Sequence, residues 1–200
     1  MEVKKILKNV AIYLQLTDVY DFLVNNKSAT LDLMTEVDLL VSCVNFVNNL
    51  IATDYIKLVK TKELTVSSNY EIKFENISTE EMLGVLSIKT MSGDKIPFVL
   101  TNTGVVVNYS GKVKIKYAYF PNEVELTGSV NDYKTKINER IFAYGVASEY
   151  LFIKGNIDDA SMWDTRFKRA LLNLTRPISS IKMPLEKMIW GGVLCFIIIT

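Results

Sequence analysis

The apolar residues of this chain change their spacing twice, and that double change limits the available folds more than any other feature. Val3, Ile6, Leu7, Val10, Ala11 and Leu14 recur three and four positions apart, which predicts a helix over residues 2–15 with a single buried stripe. Thr17 or Asp18 can cap a second, short helix whose Val19, Phe22 and Leu23 turn inward before a polar break. Leu33, Val37, Leu40, Val41, Val44, Val47, Leu50 and Ile51 then hold the helical period for about five turns.

From about Tyr55 the period falls to two. "IKLVKTKELTVSS", "YEIKF", "VLSIKTM", "IPFVLT", "VVVNYS" and "KVKIKYAYF" are β-branched and aromatic runs separated by Ser-Asn, Ser-Gly-Asp and Asn-Thr-Gly turns. In the last run Val113, Ile115, Tyr117 and Tyr119 face one way and Lys114 and Lys116 the other, the pattern of an antiparallel sheet with one wet side. Pro97 and the outward lysines suit strands guarded against edge pairing.

After Pro121 and a polar connection the helical period returns. Between Ile137 and Ile153 apolar residues lie almost all round the helix, so it is expected to sit between other elements. Gly155 fits a left-handed helix stop and Asn156 the next cap, which makes a helical hairpin. On its second helix Ala160, Trp163, Phe167, Ala170, Leu171 and Leu174 share a face. Asp158 and Asp159 fall in the first turn, and Lys168 and Arg169 near the end, where they suit the helix dipole. Pro177 ends the helix. The fold expected is α+β: N-terminal helices (1–54) and a C-terminal helical hairpin (123–176) packed together, an inserted antiparallel β lobe (55–122), and an extended arm (177–200).

Composition narrows the chemistry. The 200 residues are 49% hydrophobic, enough to bury a core. Lys and Arg number 23 against 22 Asp and Glu, so no global field draws the chain to nucleic acid. With no histidine, the usual triads, imidazole acid-base schemes and histidine-bound zinc are excluded by composition. Cys43 and Cys195 form no CxxC pair, and Cys43 beside the helical stripe reads as an inert buried thiol. No phosphate-binding glycine motif occurs.

Glu80-Glu81 and Asp158-Asp159 are the acids to test for catalysis, and helix-start chemistry accounts for both pairs, "STEEM" as a capping sequence among them. No enzyme activity, cofactor or metal is expected. The first residues do not read as a signal peptide. The closing apolar run from Met188 is about thirteen residues, short of the roughly 20 that span a bilayer, so no membrane insertion is expected.

"ERIFAYGVASEYLFIKGNIDDASMWDTRFKRAL" resembles the C-terminal hairpin of tailed-bacteriophage head-tail connector proteins, the adaptor or neck class. The likeness falls on Ala143, Tyr144, Ala147, Tyr150, Gly155, Ala160, Trp163, Phe167 and Leu171. The layout of helices, β-rich middle and hairpin is similar over about residues 1–183. The resemblance implies a virion structural protein at the head-tail junction, made in the bacterial cytoplasm. It implies a homo-oligomeric ring, commonly twelvefold, between portal protein and tail proteins, with double-stranded DNA passing through. Tyr144, Tyr150, Trp163 and Phe167 are then packing or interface residues. Ile178, Ile181, Lys182, Met183 and Trp190 belong to an arm that reaches a neighbour or the portal. The sequence departs from the class at its apolar end, where a short polar or basic tail is expected. Two alternatives stay open: another neck or tail-completion protein, and a soluble β-lobe module that binds a ligand or single-stranded nucleic acid through Tyr117, Tyr119 and nearby lysines.

Overall fold

The computed structural model describes residues 1–25, 28–130, 133 and 137–175. The residues expected to form the arm, Ile178, Ile181, Lys182, Met183 and Trp190, lie outside the described residues, as does Cys195. Two apolar cores organise the fold.

The first core belongs to the helices. α1 (Val3–Tyr13) buries Val3, Ile6, Leu7, Val10 and Ala11, the stripe its spacing predicts. It stops because Gln15 takes a left-handed conformation (φ 56°), which lets the Leu16 amide donate to the Ala11 carbonyl at 2.9 Å. α2 (Thr17–Asn25) follows, then α3 (Leu31–Leu50), capped by the Thr30 hydroxyl accepting from the Leu33 amide at 3.3 Å. A π turn over Ile51–Tyr55 continues α3, closed by the Ile56 amide on the Ile51 carbonyl at 2.8 Å. α5 (Glu139–Ile153) and α6 (Ile157–Thr175) form the expected hairpin. α5 packs against α1, α3 and α6 and buries residues on several sides, as its all-round apolar pattern requires.

The second core lies in the β lobe. β1 (Leu58–Val66), β7 (Gly111–Tyr119), β3 (Met82–Thr90) and β4 (Lys95–Ile96) make one antiparallel sheet in that order. β2 (Glu71–Lys73), β6 (Gly104–Val107) and β5 (Phe98–Leu100) make a second. Both sheets contribute to one cluster that includes Ile72, Ile88, Val105, Ile115 and Tyr117. Val113, Ile115 and Tyr117 are buried and Lys116 is exposed, as the alternation predicts. Pro97 falls between β4 and β5, where no ladder bond is required of it.

Two expectations need correction. "STEEM" caps no helix: the single turn α4 (Phe74–Ile77) ends before it, and β3 begins at Met82. The Ser78 hydroxyl instead accepts from the Glu80 amide at 3.1 Å, an ST turn. The alternating residues that follow favour a strand, and they outweigh the local cap signal. Lys168 and Arg169 are not in the last turn of α6, which continues to Thr175; Lys168 pairs with Asp164 one turn back at 2.7 Å.

The polar connection before α5 is more than a tether. The Asn45 side chain accepts from the Val124 amide at 2.8 Å and donates to its carbonyl at 3.0 Å. The Val3 amide donates to Gly128 and the Val130 amide to Met1, stitching this segment to the N-terminus. Tyr133 buries its ring and donates to the Asn48 side-chain oxygen at 2.6 Å, and burial raises its pKa. Asn48 is 1% exposed, so Tyr133→Phe strands its oxygen without a donor. The expected cost is about 1–3 kcal/mol, read as a lowered melting temperature.

Candidate functional site

Gly155 takes φ 80°, and its amide donates to the Phe152 carbonyl at 3.0 Å while the Asn156 amide reaches Leu151 at 2.9 Å. Two of the carbonyls that the end of α5 leaves open, those of Leu151 and Phe152, are thus satisfied as the chain reverses. Asn156 does not cap through its side-chain oxygen: its amide nitrogen donates to the Asp159 carboxylate at 2.7 Å, while its carbonyl accepts from Ala160.

The reversal brings the hairpin aromatics against α1. Trp163 is 8% exposed and stacks on Tyr13, with ring centres 5.2 Å apart and planes 18° apart. Tyr144 lies 5.6 Å from each of them. The Arg166 guanidinium sits 4.8 Å over the Trp163 ring, and Arg140 donates to the Tyr144 hydroxyl. Burial raises the Tyr13 pKa, with Tyr144 adding to the rise and Arg140 opposing it. Three helices are joined here through side-chain rings.

Phe167, one turn along α6, enters the core and is 1% exposed. Its ring forms a T-shaped pair with Tyr55, ring centres 6.3 Å apart, and lies over Gly145, where a β-carbon would come within 3.0 Å of it. Gly145 therefore serves close packing of α5 on α6. Tyr150 stands apart from this seam. Its hydroxyl donates to Glu36 of α3, and Lys154 completes the group with a 2.7 Å contact to the same carboxylate. Of the four hairpin residues singled out by sequence, Tyr144 and Trp163 thus share one cluster, Phe167 adjoins it in the core, and Tyr150 ties α5 to α3. Sequence reading missed Tyr13, Arg140 and Glu36. Tyr13 had a signal, since it extends the four-then-three spacing of Ile6 and Val10.

Burial alone would raise the Glu36 pKa, yet the hydrogen bonds from Lys154 and Tyr150 prevail and hold it below the ordinary carboxylate value. A carboxylate with a depressed folded-state pKa contributes stability that is complete above its unfolded value near 4.3 and is lost as pH falls through the folded value. Glu36→Gln is therefore expected to flatten the acid limb of the stability curve below about pH 5. Urea titrations between pH 3 and pH 7 read this directly. An unchanged acid limb would remove Glu36 from the account.

Cys43 is buried in α3, and desolvation pushes its thiol up to about 12, which keeps it protonated and unreactive at neutral pH. Glu80 is engaged by Lys60 and by the Ser78 hydroxyl; the Lys60 bond first, then that of Ser78, holds its carboxyl below the usual range. A groove of about 580 Å³ between the α1–α2 turn and the start of α3 carries Asp18, Asp32 and Glu36. Among the described residues no acids or thiols gather as a metal-ligand group. In the β lobe Tyr117 is 4% exposed, and Lys60 covers the Tyr119 ring at 4.7 Å while pairing with Glu80. Lys114 pairs with Glu63 at 3.5 Å. Tyr117 is thus closed to a stacking base, and Tyr119 has Lys60 over its ring.

Among the described residues no helix is long and apolar enough to cross a membrane. No protein-family model matches the chain, and no curated protein matches its sequence.

Proposed function

We propose that the chain is a non-enzymatic structural protein of a tailed-bacteriophage particle, a connector subunit that assembles into a ring between portal and tail. The observation that carries this reading is the enclosure of Trp163. Its faces are taken by Tyr13, Tyr144 and Arg166, so the conspicuous aromatics of the hairpin join protein surfaces and meet no substrate. The element order supports it too: helices, β lobe and hairpin stand in the sequence that the resemblance implies.

The near-neutral charge fits a DNA conduit, since every phosphate neutralised by a wall residue adds salt-dependent affinity and slows passage. The single-strand binding module is disfavoured by the burial of Tyr117 and the pairing of Lys60 and Lys114.

Native mass spectrometry of the purified protein, alone and with portal protein added, tests the proposal. A closed oligomer in either condition is the expected result. A strict monomer that ignores portal would overturn the proposal. An oligomer that binds tail-completion proteins and not portal would move the subunit to another level of the same neck.

A further inference from the structure

Away from the aromatic seam, the two hairpin helices leave a groove of about 350 Å³, lined by Glu149, Phe152, Ile157, Ser161, Asp164 and Lys168, the last two paired with each other at 2.7 Å. Its floor is tight, because the Ser148 hydroxyl donates to the Ala160 carbonyl at 2.9 Å. Its rim is apolar and bare: Phe152 is 62% and Ile157 63% exposed. Within it stands Glu149, half-buried and with no hydrogen-bond or ion-pair partner among the described residues. Desolvation raises its pKa. A partly dehydrated carboxylate between uncovered apolar side chains is costly in a free protomer and calls for a cationic group flanked by apolar ones.

The chain itself contains such a segment. Twenty-five residues follow Thr175. They carry Arg176, Lys182 and Lys187 against Glu186 alone, and Lys182 stands between Ile181 and Met183. We propose that the α5–α6 groove receives the C-terminal arm of a second copy of this chain, with the Ile181–Met183 stretch covering Phe152 and Ile157 and Lys182 meeting Glu149. The arm of the same copy is poorly placed for this. From Thr175 back along α6 to Ile157, which shares the exposed apolar end of the groove with Phe152, is about 27 Å at 1.5 Å per residue. The seven residues from Thr175 to Lys182 reach about 23 Å fully extended, with none left to make the reversal. An arm passed from each copy to the next is a heterologous contact of the kind that closes into rings. The inference rests on the ring reading above.

Two full-length variants test it. Phe152→Glu with Ile157→Glu spoils the groove, and Ile181→Glu with Lys182→Glu spoils the arm. Neither groove residue is buried, so circular dichroism and thermal melting should show the groove variant folded. Each variant alone is expected to lose assembly by at least about 100-fold in concentration. That is roughly 2.7 kcal/mol. Mixed together they should form a one-to-one pair, because one supplies the intact groove and the other the intact arm.

Assembly of either variant at wild-type concentration overturns the proposal and leaves the ring reading standing. So does a mixture that fails to pair, or a groove variant that forms normal rings and loses only its hold on portal. A wild-type protein that stays monomeric in every condition removes the ring reading and this inference together.

Discussion

Phe167→Ala is expected to cost about 3–5 kcal/mol and to lower the melting temperature by on the order of 10 °C. The side chain is among the largest fully buried ones, and its surroundings cannot close over its loss. On one side stands Gly145, which has no side chain to move into the space; on the other Tyr55 meets it in a T-shaped contact, ring centres 6.3 Å apart. The cavity term therefore adds to the lost transfer energy in full. Phe167→Leu, which keeps most of the volume, should cost roughly 1.5 kcal/mol or less. Urea denaturation of both variants measures the difference. A cost for the alanine variant below about 1 kcal/mol would mean that α6 is held to the core by the Trp163 seam alone. The consequence reaches function, since the position of α6 on α5 also shapes the groove proposed for assembly.

How far the sequence could lead is shown by two helix ends built on the same motif. α5 stops at Gly155, whose identity announces the left-handed residue that the motif needs. α1 stops at Gln15 in the same conformation, and a glutamine does not announce a left-handed stop in the local sequence. The helical stripes and the alternation of β7 were legible for the reason that burial dictates them residue by residue. Pairing was not. β7 lies between β1 and β3, with Leu58 opposite Tyr119 and Thr90 opposite Val113, and such distant partners leave no mark in either run alone.

The same holds for the candidate site. Trp163 and Phe167 stood out by spacing. Tyr13, Arg140 and Glu36 become partners only when three separate helices meet, and Asn45 and Asn48 looked like ordinary polar positions until the connection before α5 folded onto them. "STEEM" shows the opposite failure, a correct local signal overruled by the strand that follows it.

Gly104→Ala should damage the β lobe and spare the helices. The added carbon would lie 2.3 Å from the Ile72 carbonyl oxygen and 2.9 Å from the Lys73 α-carbon. Both are main-chain atoms, so no side chain can swing away, and β2 must separate from β6 where Lys73 faces Gly104. Such overpacking typically costs about 1–3 kcal/mol, and a clash with main-chain atoms puts this site at the upper end. β2 is three residues long and has little pairing to lose before it detaches. Ile72 and Val105 would leave the lobe core with it, whereas the helical core contains neither. Tyr119 touches both cores and is the main route by which damage could spread. Hydrogen exchange should therefore show amides of β2, β5 and β6 losing protection while those of α3 and α5 keep theirs. Assembly should survive, because the α5–α6 groove lies wholly on the helices. Equal loss of protection in both parts would mean that lobe and helices unfold as one unit. Loss of assembly with intact helices would instead place the subunit contact on the lobe and take it away from the hairpin.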